Sequence, residues 1–356
     1  MPSGTAAVLR FSSLGDVLLA AHVPSFLKRV DPGRRVLLVT KERYGQPLAG
    51  HPHIDRLYLL EEKGRDPAAA APLGVRGTLG DLVATMRLER VDALYDLHGT
   101  LRTGRVLASF PAARRAVAPK HAFRRRLWVH ARWLKPAAVP PVLATYRRVA
   151  GLAEDAPLTP WLSEALSPEE RRRAGERVGD APFLLLGVGA RWRTKRWPLR
   201  HFLGLAEAVE RTLGLPSRFA LAPGESGVRA DLEAALSPQC RGSVDELPFR
   251  ALAAVAARAA AIVSNDSAVL HLGPALGVPA VGLFGSTVPE FGFARQGPRD
   301  AAAGVPLACR PCGVHGRDRC PLGHHDCMER LEPGRVLSVL REMLGGAPGR
   351  APVVGP

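Results

Sequence analysis

Short apolar runs alternate along this chain with stretches in which apolar residues return every three or four positions. Residues 6–11 form the first run and read as a buried strand. From Asp16 to about Val30 the spacing turns helical, with Pro24 expected to kink the helix. Residues 36–40, 56–60 and 93–96 predict further strands, with a helix over 79–90 ahead of the last. Apolar strands separated by amphipathic helices predict a parallel sheet covered on both faces.

Between residues 155 and 182 the pattern loosens into Pro, Glu and Arg, with a short charged helix over 168–178, and this stretch reads as an interdomain connection. A second alternating series follows: strands over 183–188, 217–222, 261–264 and 279–284, and helices over 199–213, 247–257, 268–276 and 336–344. The chain is therefore expected to be α/β, two doubly wound, Rossmann-like halves in tandem. The expected boundaries are 1–165 for the N-terminal domain, 166–345 for the C-terminal domain and 346–356 for a disordered tail.

Composition narrows the class. The length, 356 residues, suits two domains that each bury a core. No apolar run approaches the roughly 18 to 20 residues of a membrane-spanning helix. The opening MPSGTAAVLRFSS lacks the basic segment and apolar core of a signal peptide, so the expected location is the cytoplasm. With 49 Lys and Arg against 33 Asp and Glu, the net charge is +16. That excess favours a polyanionic partner, whether nucleic acid, anionic lipid headgroups or a phosphorylated ligand, and is equally compatible with a well-solvated surface.

Candidate chemistry gathers where strands end. The segment RFSSLGDVLLA (10–20) places a small loop after the first strand, where open α/β sheets bind ligands. Asp16 there is either an N-cap or a carboxylate able to take a proton from a hydroxyl. After the strand at 183–188, GARWRTKRWP (189–198) carries four cations, with Lys195 a compact charge suited to a diphosphate, although a plain solvated loop fits as well. SNDSAVLH (264–271) follows another strand, with Asp266 or Ser267 able to cap a helix and amides able to face an anion. His271 on that helix is as readily structural as catalytic, and Glu225, after the strand at 217–222, could accept from a ribose diol.

Together, RFSSLGDVLLA, GARWRTKRWP, SNDSAVLHLGPALGVPAVGLFG and a CxxC module with GHHDCM make this sequence similar to the family 9 glycosyltransferases, typified by the lipopolysaccharide heptosyltransferases. The resemblance runs from about residue 6 to 345. It implies a GT-B architecture, two Rossmann-like domains facing across a cleft, with the last helix crossing back onto the N-terminal domain. It also implies inverting transfer of a heptose from ADP-heptose to the lipid A-inner core acceptor of lipopolysaccharide, with no metal required for catalysis and no nucleic acid partner.

By position, the resemblance makes Asp16 the general base and Lys195 the cation that steadies the departing diphosphate. On the donor side it places Asp266, Ser267 and Ala268 with their phosphate-facing amides, Glu225 at the ribose, and Thr194 and His271 nearby. Ser12, Ser13 and Gly15 shape the loop beneath the anomeric carbon.

Two segments remain. The stretch 120–135 mixes aromatics with the chain's densest basic run, and Arg124, Arg125 and Arg126 suggest an acceptor clamp in the N-terminal half or a helix on the anionic inner face of the cytoplasmic membrane, with a solvated helix as the alternative. The module over 309–327 spaces Cys309, Cys312, Cys320 and Cys327 as C-x2-C-x7-C-x6-C. In a reducing compartment this suggests a structural zinc, with reduced or disulfide-linked thiols the alternative, and catalysis is expected to depend on the module only through folding. The competing functions are a GT-B relative that uses or epimerises another nucleotide-sugar, and a basic nucleic-acid-binding protein with a cysteine-cluster metal site.

Overall fold

A computed structural model describes residues 4–63, 73–111, 113–134, 137–221, 226–236 and 243–345. Among them two parallel sheets form. The first contains β1 (Thr5–Leu9), β2 (Arg35–Lys41), β3 (Arg56–Leu60), β4 (Val75–Gly77), β5 (Val91–Asp96) and β6 (Arg114–Val117), in the order β4-β3-β2-β1-β5-β6. The second contains β7 (Leu184–Gly187), β8 (Ser217–Leu221), β9 (Val244–Glu246), β10 (Ala261–Asn265), β11 (Ala280–Leu283) and β12 (Ala301–Ala303), in the order β12-β11-β10-β7-β8-β9. β1 and β10 are buried along their whole length, which is why residues 6–9 and 261–263 read as unbroken apolar runs rather than alternating ones.

In both sheets the strand order reverses beside the first strand. β1 is flanked by β2 and β5, and β7 by β8 and β10. The loops leaving such neighbours diverge to opposite faces and open a crevice at the carboxyl edge. These two switch points are where each half can hold a ligand.

The chain divides into two compact units: residues up to Lys120 together with Val142–Ser167, and His121–Pro141 together with the chain from Pro168 onward. The boundary is therefore interlaced rather than a single break near residue 165. Helix Val142–Ala150 packs on helix His22–Val30 in the first unit. The basic helix Ala122–His130 belongs to the second unit, where Val129 packs with Val288 and Phe291 and the Val139 N–H donates to the Glu290 carbonyl at 2.8 Å. The last helix, Pro333–Gly345, also stays in the second unit. Its Val336, Val339, Leu340 and Met343 share a core with Phe202, Leu205 and Val209 of helix Leu199–Leu213.

The kink expected at Pro24 is a full break. Helix Leu14–Ala20 ends, Ala21 intervenes, and helix His22–Val30 begins. A proline at position 24 has no N–H for the carbonyl four residues earlier and its ring crowds that carbonyl, so the two turns separate there. The helix expected over 268–276 is shorter, Leu272–Leu276, preceded by turns in which His271, Leu272 and Gly273 donate three residues back.

Candidate active site

The first switch point gathers side chains from the ends of β1 and β5. Ser13 is the N-cap of helix Leu14–Ala20 and Asp16 occupies its third position, so the two form a capping box. The Ser13 hydroxyl donates to Asp16 Oδ2 at 2.7 Å and the Ser13 N–H to the same oxygen at 3.1 Å. The other carboxylate oxygen meets Arg10 Nη2 at 2.6 Å, and Arg10 is itself anchored on the Leu97 carbonyl. Asp16 is thus a third-position cap partner rather than the N-cap itself.

Burial alone would raise the Asp16 carboxyl. The Arg10 guanidinium and the two Ser13 donors outweigh it and hold the group below the ordinary carboxylate range, so Asp16 is an anion at neutral pH. Ser12 and Gly15 lie in the same loop and first helical turn.

Four further residues close this site, and only Lys120, the first residue of the basic stretch 120–135, had been singled out from sequence. Asp96, at the end of β5, is buried and accepts from the His98 and Gly99 N–H groups, both at 2.8 Å. Burial, then Arg10 and Lys120, push the His98 imidazole down to about 4, so it stays neutral beside Asp16. Burial and Arg10 likewise lower the Lys120 ammonium. Gly99 has φ +57° and packs against the Lys120 side chain, where an added Cβ would lie 3.1 Å from Lys120 Cε. The signal for Asp96 and His98 was available: a strand ending in YDLHG sits at the carboxyl edge as surely as the loop after β1.

The second switch point joins the loop after β7 to the loop after β10. Lys195 closes the turn Arg193–Lys195 and places Nζ 2.6 Å from Asp266 Oδ2, both side chains being largely buried. The Thr287 hydroxyl donates to the same oxygen at 2.7 Å. Burial works against the Asp266 carboxylate, but Lys195 and Thr287 more than reverse it and keep its pKa below the ordinary value. Asn265, fully buried, braces the arrangement: its amide donates to the Val188 carbonyl at 2.8 Å and its oxygen accepts the Trp197 N–H at 3.0 Å. Gly187 lets β7 approach β10 this closely, since a Cβ there would sit 2.5 Å from Ser264 Oγ.

Ser267 lies 3.2 Å from Ser264, hydroxyl to hydroxyl. Ala268 opens the turns before helix Leu272–Leu276, and His271 is that helix's N-cap residue, buried near Asp266 and Phe293. The Thr194 hydroxyl is engaged by Arg317 and Ser286. Glu225, expected at the ribose, lies outside the described residues. Ser286 and Thr287, missed from sequence, follow β11, another strand end at the same edge.

Arg124, Arg125 and Arg126 sit together on helix Ala122–His130, in the second unit rather than the N-terminal half. Arg125 is a staple, with Nε and Nη2 donating to the Phe291 carbonyl and the guanidinium 4.8 Å from the centre of the Phe293 ring. Arg124 donates to the Ala138 carbonyl and Arg126 is exposed.

The cysteines Cys309, Cys312, Cys320 and Cys327 are free thiols. Among the described residues no group of three or more His, Cys, Asp or Glu side chains is arranged to hold a metal ion. Cys327 packs inside the apolar core of the second unit, where burial pushes its thiol up to about 12 and makes it a small hydrophobe.

Known proteins supply the frame for these two sites. The fold matches the structure of E. coli ADP-heptose lipopolysaccharide heptosyltransferase II (TM-score 0.67, 18% identity, 96% of this chain and 98% of that one). It also matches a glycosyl transferase family 9 protein from Veillonella parvula (TM-score 0.72, 20% identity, 98% and 99%). The architecture is that of a GT-B glycosyltransferase, two Rossmann-like domains each with its ligand crevice at a switch point. Residues 80–319 match the glycosyltransferase family 9 (heptosyltransferase) model, and the chain belongs to that family. In sequence it is 28% identical to lipopolysaccharide heptosyltransferase 1 of Pseudomonas aeruginosa over 95% of this chain and 97% of that one. The protein is a glycosyltransferase.

Proposed function

We propose that this enzyme transfers a heptose from ADP-heptose to the inner core of lipopolysaccharide, with inversion at the anomeric carbon and without a catalytic metal. The observation that carries the reading is the pair of charge arrangements at the two switch points: a carboxylate held ionised in the first unit, and a buried lysine in the second. In one displacement, an acceptor hydroxyl attacks the anomeric carbon and passes its proton to Asp16, while the bond to the diphosphate breaks and its electrons stay with ADP. Lys195 meets the charge that accumulates on the leaving diphosphate, the role a divalent cation fills in other transferases. Asp266 and Thr287 hold Lys195 in place before the donor arrives, and the turns opening at Ser267 and Ala268 present amides to the phosphates.

A single attack on the anomeric carbon predicts the opposite anomer in the product. The test is an assay with ADP-heptose, a lipid A-inner core acceptor lacking heptose, and EDTA, with the product's anomeric configuration read by NMR. Acceptor-dependent ADP release and an inverted linkage support the proposal. A retained linkage, loss of activity in EDTA, or conversion of the nucleotide-sugar without acceptor would overturn it.

The acceptor is membrane-borne, and we place the enzyme against the anionic inner face of the cytoplasmic membrane. No helix among the described residues is long and apolar enough to cross a bilayer. Phe123 and Trp133 are each 80% exposed on the segment that carries exposed Arg126, the combination that seats a ring among acyl chains and a cation among headgroup phosphates. Replacing Phe123 and Trp133 by Ser should release the protein from vesicles rich in anionic lipid while transfer to a detergent-dispersed acceptor persists. Undiminished vesicle binding would remove this segment from the account.

A further inference from the structure

The segment over 309–327 does more than pack. We infer that it is a clamp that positions Lys195, with His325 and Thr194 as positioning residues; this rests on the proposed role of Lys195 at the leaving diphosphate.

Thr194, the residue before Lys195, has its polar groups taken by that segment. The Thr194 N–H donates to the Arg317 carbonyl at 3.1 Å and its hydroxyl accepts the Arg317 N–H at 2.8 Å. The same hydroxyl lies 2.9 Å from the Arg317 carbonyl and 3.0 Å from the Ser286 hydroxyl, one of which takes its proton. Its carbonyl is 3.2 Å from His325 Nε2, which donates in the tautomer that fits. Thr194 is 3% exposed, so water does not replace these bonds at low cost. Trp192, two residues further back, packs on Gly316, where a Cβ would meet the Trp192 Cβ at 2.9 Å. On the other side of Lys195, Trp197 is fixed by Asn265.

The same segment reaches the lysine's partner. The Cys312 N–H donates to the Ser286 carbonyl at 3.1 Å and Arg310 Nη2 to the Thr287 carbonyl at 2.9 Å, while the Thr287 hydroxyl holds Asp266. Both members of the Lys195–Asp266 pair therefore hang from one cysteine- and histidine-rich strap. An ammonium that must meet a developing charge loses much of its effect when displaced by an ångström. On this proposal catalysis is tied to the module beyond folding, where the sequence reading expects a link only through folding.

The test is a double-mutant cycle on transfer from ADP-heptose. His325→Leu, which removes the donor, should lower kcat about tenfold or more while leaving the donor KM within about twofold, because an interaction made only in the transition state is weakened. His325→Gln, which returns an N–H at similar reach, should restore most of kcat. In the Lys195→Ala background His325→Leu should cost nothing further, since the lysine it positions is gone. Thr194→Val with Thr194→Ser as its rescue gives a second cycle should His325→Leu fail to fold. Losses that multiply independently of Lys195, or a His325→Leu enzyme with unchanged kcat, would overturn the clamp alone. A Lys195→Ala enzyme with undiminished transfer would instead overturn the reading on which the clamp rests.

Discussion

The two switch points solve the same problem by different means. Each holds a carboxylate against a cation at the reversal of a six-stranded parallel sheet. In the first, Arg10 and Asp16 leave the same strand and stand six positions apart, and the capping box of their own helix orients the acid. In the second, Lys195 and Asp266 come from loops after different strands, 71 positions apart, and Thr287 from a third loop completes the set. A locally built site can survive the loss of one partner, whereas one assembled from distant loops depends on every loop staying in place.

Removing each reacting charge exposes that difference. Asp16→Asn should lower kcat by roughly 10²- to 10⁴-fold, the range for a lost general base, because the amide oxygen can still cap but cannot take a proton. Its melting temperature should fall less than on loss of Lys195, because the amide still occupies the carboxylate's place beside Arg10 and Arg10 keeps the Leu97 carbonyl. Lys195→Ala should cost roughly 10²-fold in kcat and also several kcal/mol of stability, because Asp266 is left buried without its cation. Steady-state rates beside thermal unfolding of both variants check the contrast. Equal melting temperatures would show that the second site is as self-sufficient as the first.

The same contrast explains what could be read before the structure. The core strands were legible because residues 6–9 of β1 and 261–263 of β10 are buried apolar runs, which need no partner to announce themselves. RFSSLGD could be proposed as a site from sequence because its acid, cap and loop are contiguous. That Lys195 meets Asp266 was not, since spacing along the chain carries no information on which loops a sheet order brings together. Asp96 and His98 were missed for want of applying the strand-end rule to β5. The arginines of helix Ala122–His130 were placed in the N-terminal half because their anchor is non-local: Arg125 reaches the Phe291 carbonyl, 166 positions away. The strap on Thr194 was invisible because nearly every bond in it has a backbone carbonyl or N–H group on one side, which every residue possesses.

Acid should separate the units by stability. In the first unit His22 and His51 are buried around Trp161, with His51 stacked 4.7 Å from that ring. Burial, then the neighbouring His51 and Arg147, push His22 down to about 3. Burial takes His51 to about 3 as well, despite its hydrogen bond to the Ala21 carbonyl and with His53 adding to the lowering. Both rings stay neutral when folded but take a proton near 6.5 once unfolded. Their contribution is therefore complete above pH 6.5 and drains as pH falls toward 3, by roughly 3 kcal/mol per pH unit for the two. In the second unit burial lifts Asp300 to about 6 against three backbone N–H donors. The folded state there takes up its proton first, so falling from pH 6 toward 4 adds stability instead. Amide protection, corrected for intrinsic exchange, should collapse in helix His22–Val30 before helix Leu199–Leu213 as pH drops from 7 to 5. The reverse order would remove the histidines as the acid-sensitive element.

The smallest contrast compares one hydroxyl with another. Ser13 and Thr287 each donate to a site carboxylate, at 2.7 Å in both cases, yet Ser13 is exposed and Thr287 is 2% exposed. Ser13→Ala removes a cap whose place water can take, so about 1 kcal/mol of stability is at stake. Its clearer effect is on Asp16, whose carboxyl loses a donor to its charged form, so the acid limb of the kcat/KM profile should move up in pH. Thr287→Val leaves the buried Asp266 oxygen with Lys195 alone and no solvent to substitute, which should cost about 1 to 3 kcal/mol. Because the proposed proton acceptor is Asp16 and not Asp266, that variant should lower kcat and stability together without moving the acid limb. A shifted limb in Thr287→Val, or an unmoved one in Ser13→Ala, would mean that the titration governing transfer does not belong to the carboxylate after β1.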